Sequence, residues 1–222
     1  MLVTARPELR IRARPRRADH LISHLRLYGQ PGANYAVAGL PEGFAYAPEF
    51  ISADEEAELL SEIGKLEFEA FDFHGYIAKR RVVVYGWDYD FSTRKTSEVP
   101  GIPEFLVPLR ERAAGLAGLE AEALVEAVVT EYPPGAPIGW HRDVPQFEVI
   151  IGVSLASSCR MRLKPYKAEG KILSVALEPR SAYVMRGTAR WKWQHSIPPV
   201  ETLRYSVTFR TLREGQAGTS KQ

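Results

Sequence analysis

The most regular apolar pattern in the chain falls at Ala57, Leu59, Leu60, Ile63 and Leu66, the spacing of one helix face. Ser52-Ala53-Asp54-Glu55 stands just before it. There a serine hydroxyl and a glutamate three residues on can satisfy two free backbone donors at a helix start. Together they predict a helix over 53–66. A second helix is predicted from near Pro103 through Leu106, Leu109, Ala113 and Leu116, with Pro108 either kinking it or delaying its start. After Gly118 the period changes. Short β-rich runs follow at 124–132, 147–155, 160–164, 172–177, 181–186 and 203–210, separated by turn residues. A succession of short strands predicts a sandwich or barrel, and helices ahead of strands predict an α+β fold with the helices packed on one sheet.

Composition narrows the class. The chain has 222 residues and an ordinary globular balance of apolar and charged groups, enough for a sizeable core. One cysteine, Cys159, excludes an internal disulfide framework. No apolar run approaches the roughly 20 residues that span a bilayer, and the N-terminus lacks the apolar stretch of a secretory signal, so a cytoplasmic protein is expected. The net charge is only +2, yet seven arginines stand between Arg6 and Arg26 against Glu8 and Asp19. Such an arm either attracts a polyanion or is simply a solvated tail. With Gly29-Gln30-Pro31-Gly32 as linker, the expected division is an arm over 1–34, a domain over 35–213 and a tail over 214–222.

Of five histidines, two carry the chemistry. In Trp140-His141-Arg142-Asp143, an imidazole and a carboxylate two residues apart point to one side of an extended segment. They make two thirds of the two-histidine, one-carboxylate set that binds Fe(II) and leaves adjacent positions open, and His195 can supply the third ligand. Polar turn and buried-histidine readings remain for the same residues. Further on, Arg204, Ser206, Thr208 and Arg210 alternate with Tyr205, Val207 and Phe209. If the arginine face points into a closed sheet, its buried cations require an anion, and a dicarboxylate meets that need. If it points out, the arginines are merely solvated.

The order His141-x-Asp143, His195, then Arg204-x5-Arg210 resembles the AlkB family of Fe(II)- and 2-oxoglutarate-dependent dioxygenases. The resemblance runs from about 39 to 213. It includes Tyr132-Pro133-Pro134-Gly135, Trp140 to Asp143, Arg190 to Ile197, and Arg204 to Arg210. It implies a double-stranded β-helix, a jelly-roll pair of sheets buttressed by helices. It implies that His141, Asp143 and His195 hold Fe(II), and that Arg204, with the hydroxyl of Tyr132, binds the distal carboxylate of 2-oxoglutarate. Arg210 is implied nearer the metal end. Thr130 and Ser206 stand where the family commonly has asparagine, and both can still hydrogen-bond there. The implied activity consumes O2 and 2-oxoglutarate and removes methyl groups from N-alkylated bases in DNA or RNA. The same chemistry on tRNA, a protein or a small molecule is the alternative, because Pro145 stands where repair members carry a base-reading carboxylate.

The resemblance also marks 76–94 as a substrate lid. Tyr85, Trp87, Tyr89 and Phe91 alternate there, interleaved with Lys79, Arg80, Arg81 and Arg94. If extended, they share one face, for base stacking or for the core. Trp87 is the expected stacking residue, with Tyr76 and Tyr89 as further substrate contacts. Arg160, Arg162 and Lys164 also alternate, either at the mouth of the site against phosphate or on a solvated outer face. The expected partner is a single-stranded nucleic acid or a flipped base, bound by a monomer.

Overall fold

The computed structural model describes residues 37–73, 76–90, 95–98 and 100–215. The chain divides into Met1–Gln30 and Pro31–Gln222, and the description concerns the second unit. The Arg-rich arm, with His20 and His24, lies outside the described residues. So do His74, Phe91, Arg94 and the C-terminal tail beyond Gly215.

Helix α1 (Ala53–Ile63) starts as its cap predicts. The Glu55 amide donates to Ser52 Oγ at 3.1 Å, and the Ser52 amide donates to the Glu55 carboxylate at 2.7 Å. It ends at Gly64, before Leu66. Helix α2 (Val107–Ala117) begins later than Pro103, because a single 3-10 turn at Glu104–Leu106 comes first. Pro108 lies in its first turn, where a missing N–H costs no hydrogen bond, so this proline starts the helix rather than kinking it. A short helix α3 (Gly187–Trp191) was not expected.

The strands are β1 (Phe44–Ala47), β2 (Glu69–Phe73), β3 (Tyr76–Tyr85), β4 (Trp87–Asp90), β5 (Lys95–Glu98), β6 (Leu124–Tyr132) and β7 (Ile138–His141). They continue with β8 (Phe147–Leu155), β9 (Cys159–Pro165), β10 (Leu173–Leu177), β11 (Ala182–Met185), β12 (Trp193–Ile197) and β13 (Arg204–Leu212). All six predicted runs are strands. They form a seven-stranded sheet, β1-β11-β8-β13-β6-β3-β2, a four-stranded sheet, β10-β9-β12-β7, and the hairpin β4-β5, all antiparallel. Mostly β, with helices against one sheet, this is the double-stranded β-helix with buttressing helices.

Alternation explains the layers. On β13, Val207 and Phe209 point to the helices and join Leu59, Ile63, Leu106, Leu109 and Ala113 in one core. The opposite face of the large sheet looks toward the small sheet. There Ile150 and Met185 meet Met161, Leu163 and Leu177 in a second cluster. The N-terminal half is therefore more than a pair of helices, since β1, β2 and β3 complete the large sheet.

The four aromatics of 85–91 do not share one face. Gly86 adopts φ +84 between β3 and β4, and a Cβ there would run into the Val125 carbonyl. The bend sends Tyr85 to the helix-side core and Trp87 to the cluster between the sheets.

Candidate active site

His141 and His195 are direct cross-strand partners on β7 and β12, with ring centroids 4.2 Å apart. Non-local pairing has thus joined residues 54 positions apart in sequence. Asp143 follows β7 by two residues and brings its Oδ2 to 3.8 Å from His195 Nε2. The ligand atoms of all three side chains lie within 4.8 Å of one another.

The protonation states suit a cation. His141 Nδ1 lies 2.9 Å from the Gly139 carbonyl, which can only accept. That contact places the proton on Nδ1 and leaves Nε2 free as a ligand. Burial pushes His195 down to about 3, reinforced by His141 and opposed by Asp143. His141 is lowered for the same first reason, against Asp143 and the Gly139 carbonyl. Both rings are therefore neutral at pH 7. Burial also raises Asp143, but Arg210, His195, His141 and Arg190 outweigh it and hold the carboxyl well below the usual range. Asp143 Oδ2 is buried without a hydrogen-bond partner. An ionised oxygen facing two neutral imidazoles, left unsatisfied by the protein, fits the N, N, O donor set of a non-haem Fe(II) site.

Other groups hold Asp143 in place. Arg210 donates to Oδ1 from Nε at 3.2 Å and from Nη2 at 3.0 Å, and it pairs with Glu126 on β6. Arg190, 2% exposed, donates one Nη2 to the carbonyls of Asp143, Val144 and Phe147 at 3.1, 2.7 and 2.9 Å. Sequence reasoning missed Glu126 and Arg190. The only local trace of the first was an acid in a mostly apolar strand. The second opens the segment Arg190 to Ile197, where no role was assigned to it.

The arginine face of β13 does point inward. Arg204 is 1% exposed, and its Nε and Nη2 donate to Ser154 Oγ at 3.3 and 3.1 Å. Its guanidinium lies 4.9 Å over the Tyr132 ring. Nη1 is buried without a partner, and among the described residues no carboxylate pairs with this cation. A buried guanidinium with an open donor is a receptor for a carboxylate. Tyr132 stands opposite Arg204, and Thr130 opposite Ser206, across the β6–β13 ladder, and Tyr132, Thr130, Ser154 and Ser206 are all buried.

Tyr183 was also missed. It lies across Gly152, its partner on β8, where a Cβ would collide with the phenol ring. A glycine inside the run 147–155 was the available signal, since such glycines mark close approach. Burial raises the Tyr183 hydroxyl, with Asp143 and Tyr132 adding to the effect.

The expected substrate residues spread out. Trp87 packs, half-buried, on the apolar cluster that also holds Phe147, Val144 and Trp193, the last two near Asp143 and His195 in sequence. Tyr76 opens β3 and Tyr89 lies in β4, while their side chains lie outside the described residues. Arg160 is exposed on the outer face of β9, opposite the inward Met161.

Residues 43–210 match the 2OG-Fe(II) oxygenase superfamily. The chain is 30% identical over 184 residues to the "Alkylated DNA repair protein ALKBH8 homolog" of Arabidopsis thaliana, matching 70% of this chain and 51% of that protein. It thus spans about half the length of that relative. It is also 30% identical over 190 residues to the "Alpha-ketoglutarate-dependent dioxygenase alkB homolog 7, mitochondrial" of Bos taurus, matching 79% of this chain and 81% of that protein. Among solved structures it resembles OsALKBH1 with a TM-score of 0.62 at 17% identity, over 78% of this chain and 98% of that one.

Proposed function

We propose, for a chain that belongs to the 2OG-Fe(II) oxygenase superfamily and within it to the AlkB type, that its reaction is oxidative demethylation of N-alkylated bases in DNA or RNA. Fe(II), 2-oxoglutarate and O2 together supply oxidation of an unactivated C–H bond. In this reading His141, Asp143 and His195 hold the metal. Arg204 binds the distal carboxylate of 2-oxoglutarate, with Tyr132, Thr130 and Ser206 lining the same pocket. Arg210 and Arg190 keep Asp143 aimed at the metal and ionised. The apolar wall excludes water from the reacting carbon.

The observation that carries the substrate is the wall itself. Phe147 and Trp193 stand close in sequence to Asp143 and His195 and share one apolar cluster with Trp87, and a flat aromatic ring removed from its stack is held by such surfaces. The name of the Arabidopsis relative supports the same class. Pro145, exposed two residues after Asp143, favours a second reading, the same oxidation of a tRNA base, protein side chain or small molecule, since no carboxylate at this position is available to read a base.

The test is succinate release from 2-oxoglutarate with Fe(II) and ascorbate, with and without oligonucleotides carrying 1-methyladenine or 3-methylcytosine. Oligonucleotide-stimulated succinate with matching formaldehyde is expected. Succinate release indifferent to every alkylated oligonucleotide would overturn the nucleic-acid substrate and leave the oxygenase standing.

A further inference from the structure

The four-stranded sheet uses one face for the site, with His141, His195, Met161 and Leu163 pointing inward. Its other face has no established use, and its composition is uneven. The strands β7, β9, β10 and β12 contain no aspartate or glutamate. By alternation, Arg160, Arg162 and Lys164 share the outer face of β9, opposite the buried Met161 and Leu163. Register puts Gln194 and Ser196 of β12 on the same face, and Arg162 Nε donates to Ser196 Oγ at 3.1 Å. Trp140 of β7, half-buried, adds an aromatic plane there, with Lys164 Nζ at 4.4 Å and the Arg162 guanidinium at 5.0 Å from its ring centre. Next to this row, Tyr166 lies under the Arg142 guanidinium at 3.6 Å and near Lys167 Nζ at 5.3 Å.

Arg142, Arg162, Lys164 and Lys167 are thus four cations beside two aromatic rings, and Arg160 extends the row along β9 to a fifth. Among the described residues none of the five forms an ion pair. Paired cations elsewhere on the protein show the contrast: Lys65, Arg81, Arg112 and Arg180 each hold a carboxylate. An acid-free stripe of unpaired cations calls for an anionic partner. Cations alternating along a strand stand about 6.7 Å apart, suited to successive phosphates of an extended chain. Aromatic planes among them call for a polyanion that also carries flat rings.

We propose that the outer face of the four-stranded sheet is a docking track for single-stranded nucleic acid, separate from the pocket that holds the reacting base. It rests on the nucleic-acid reading above. The track leads to the catalytic centre through the chain itself, because Trp140 and Arg142 flank the metal ligand His141. A strand lying on it is held next to the site while a target nucleotide enters the opposite face of the same sheet. Double-stranded nucleic acid presents phosphates but hides its ring faces, so it engages the cations without Trp140 and Tyr166.

The experiment compares the full chain with an R160A/K164A/K167A variant, in binding of an unmodified single-stranded oligonucleotide across a salt series. Neutralising three phosphate contacts on a single strand lowers the slope of log affinity against log salt by about 2, and affinity at 0.1 M salt by about 100-fold. The Arg-rich arm is present in both proteins and cancels from the difference. A Lys65→Ala control, exposed just beyond the end of α1, is expected to change neither slope nor affinity. All three replaced side chains lie on the surface, and an unchanged unfolding midpoint verifies folding. As a second measurement, photo-crosslinking of an oligonucleotide carrying 4-thiouridine is expected to label peptides containing Trp140 and Tyr166. An unchanged slope, or crosslinks confined to other peptides, overturns the track while demethylation remains testable by formaldehyde release. Binding of the wild type to anionic phospholipid vesicles but to no oligonucleotide overturns it in favour of a membrane surface.

Discussion

The seven-stranded sheet is covered on both faces, by helices α1 and α2 on one side and by the site on the other. The four-stranded sheet is covered on one face and open to solvent on the other. Both contribute to the same centre, but different things. The large sheet supplies groups that must be dry, namely the Arg204 guanidinium with its open donor and the Arg210–Glu126 pair that braces Asp143. The small sheet supplies the paired histidines, whose separation is set by one cross-strand register. A sheet shielded on both sides can bury a cation without a protein carboxylate, and such a cation favours an anionic ligand. A sheet with a wet face cannot hold such a charge there, and its outer cations remain hydrated and available to large partners.

The sharpest break in this comparison comes from the metal ligands. Asp143→Ala removes the only carboxylate of the set and is expected to abolish Fe(II)-dependent succinate release, with Co(II) titration showing loss of metal binding. A titratable site in the variant would refute the assignment of Asp143.

Arg204→Met separates function from stability on the large sheet. Hydrogen bonds to a charged partner contribute about 1.5–3 kcal/mol each, so KM for 2-oxoglutarate is expected to rise roughly 10- to 100-fold. The metal-free, ligand-free protein is expected to melt higher, because a buried unpaired cation becomes an apolar side chain. A lower melting temperature would mean that Ser154 and Tyr132 already satisfy Arg204.

Gly152→Ala forces the Tyr183 ring off β8 and is expected to destabilise by about 1–3 kcal/mol, read by denaturant unfolding. Metal-free stability is also expected to fall with acid. His195 binds its proton at about 3 when folded and near 6.5 when unfolded, so the unfolded chain holds more protons between those values. Stability is therefore fully present above 6.5 and is lost as pH falls toward 3, with Asp143 adding a further loss below 3.8. Flat stability from pH 7 to 4 would contradict a neutral, buried His195. On the wet face the smallest effect is expected: Arg160→Ala changes unfolding free energy by less than about 0.5 kcal/mol.

What the amino-acid order determined was local or patterned. The cap at Ser52–Glu55 and the alternation of 203–210 need only near neighbours, and both matched the structure, while of the apolar run of α1 Leu59 and Ile63 are buried, Ala57 is exposed and Leu66 lies past the helix end. His141, Asp143 and His195 were legible because two of them share a short motif and the order of motifs resembles a known family. The edge strand β1, four residues long, and the strands β7 and β12 were not predicted. β1 is too short to show a pattern, and β7 and β12 carry histidine and tryptophan in place of a plain apolar alternation. The break at Gly86 was hidden for a related reason, because the aromatic alternation continues through a residue whose backbone does not.

Only tertiary structure decided which face of β13 is inside, that Asp143 is held by Arg190 and by an Arg210 that Glu126 pairs with, and that Tyr183 lies over Gly152. The strand residues depend on register between distant strands, where a shift of one residue would turn their side chains to the other face, and Arg190 depends on where helix α3 packs. Local sequence specifies that a strand will alternate. The burial of one complete face, summed over the whole sheet, selects the direction in which it does so.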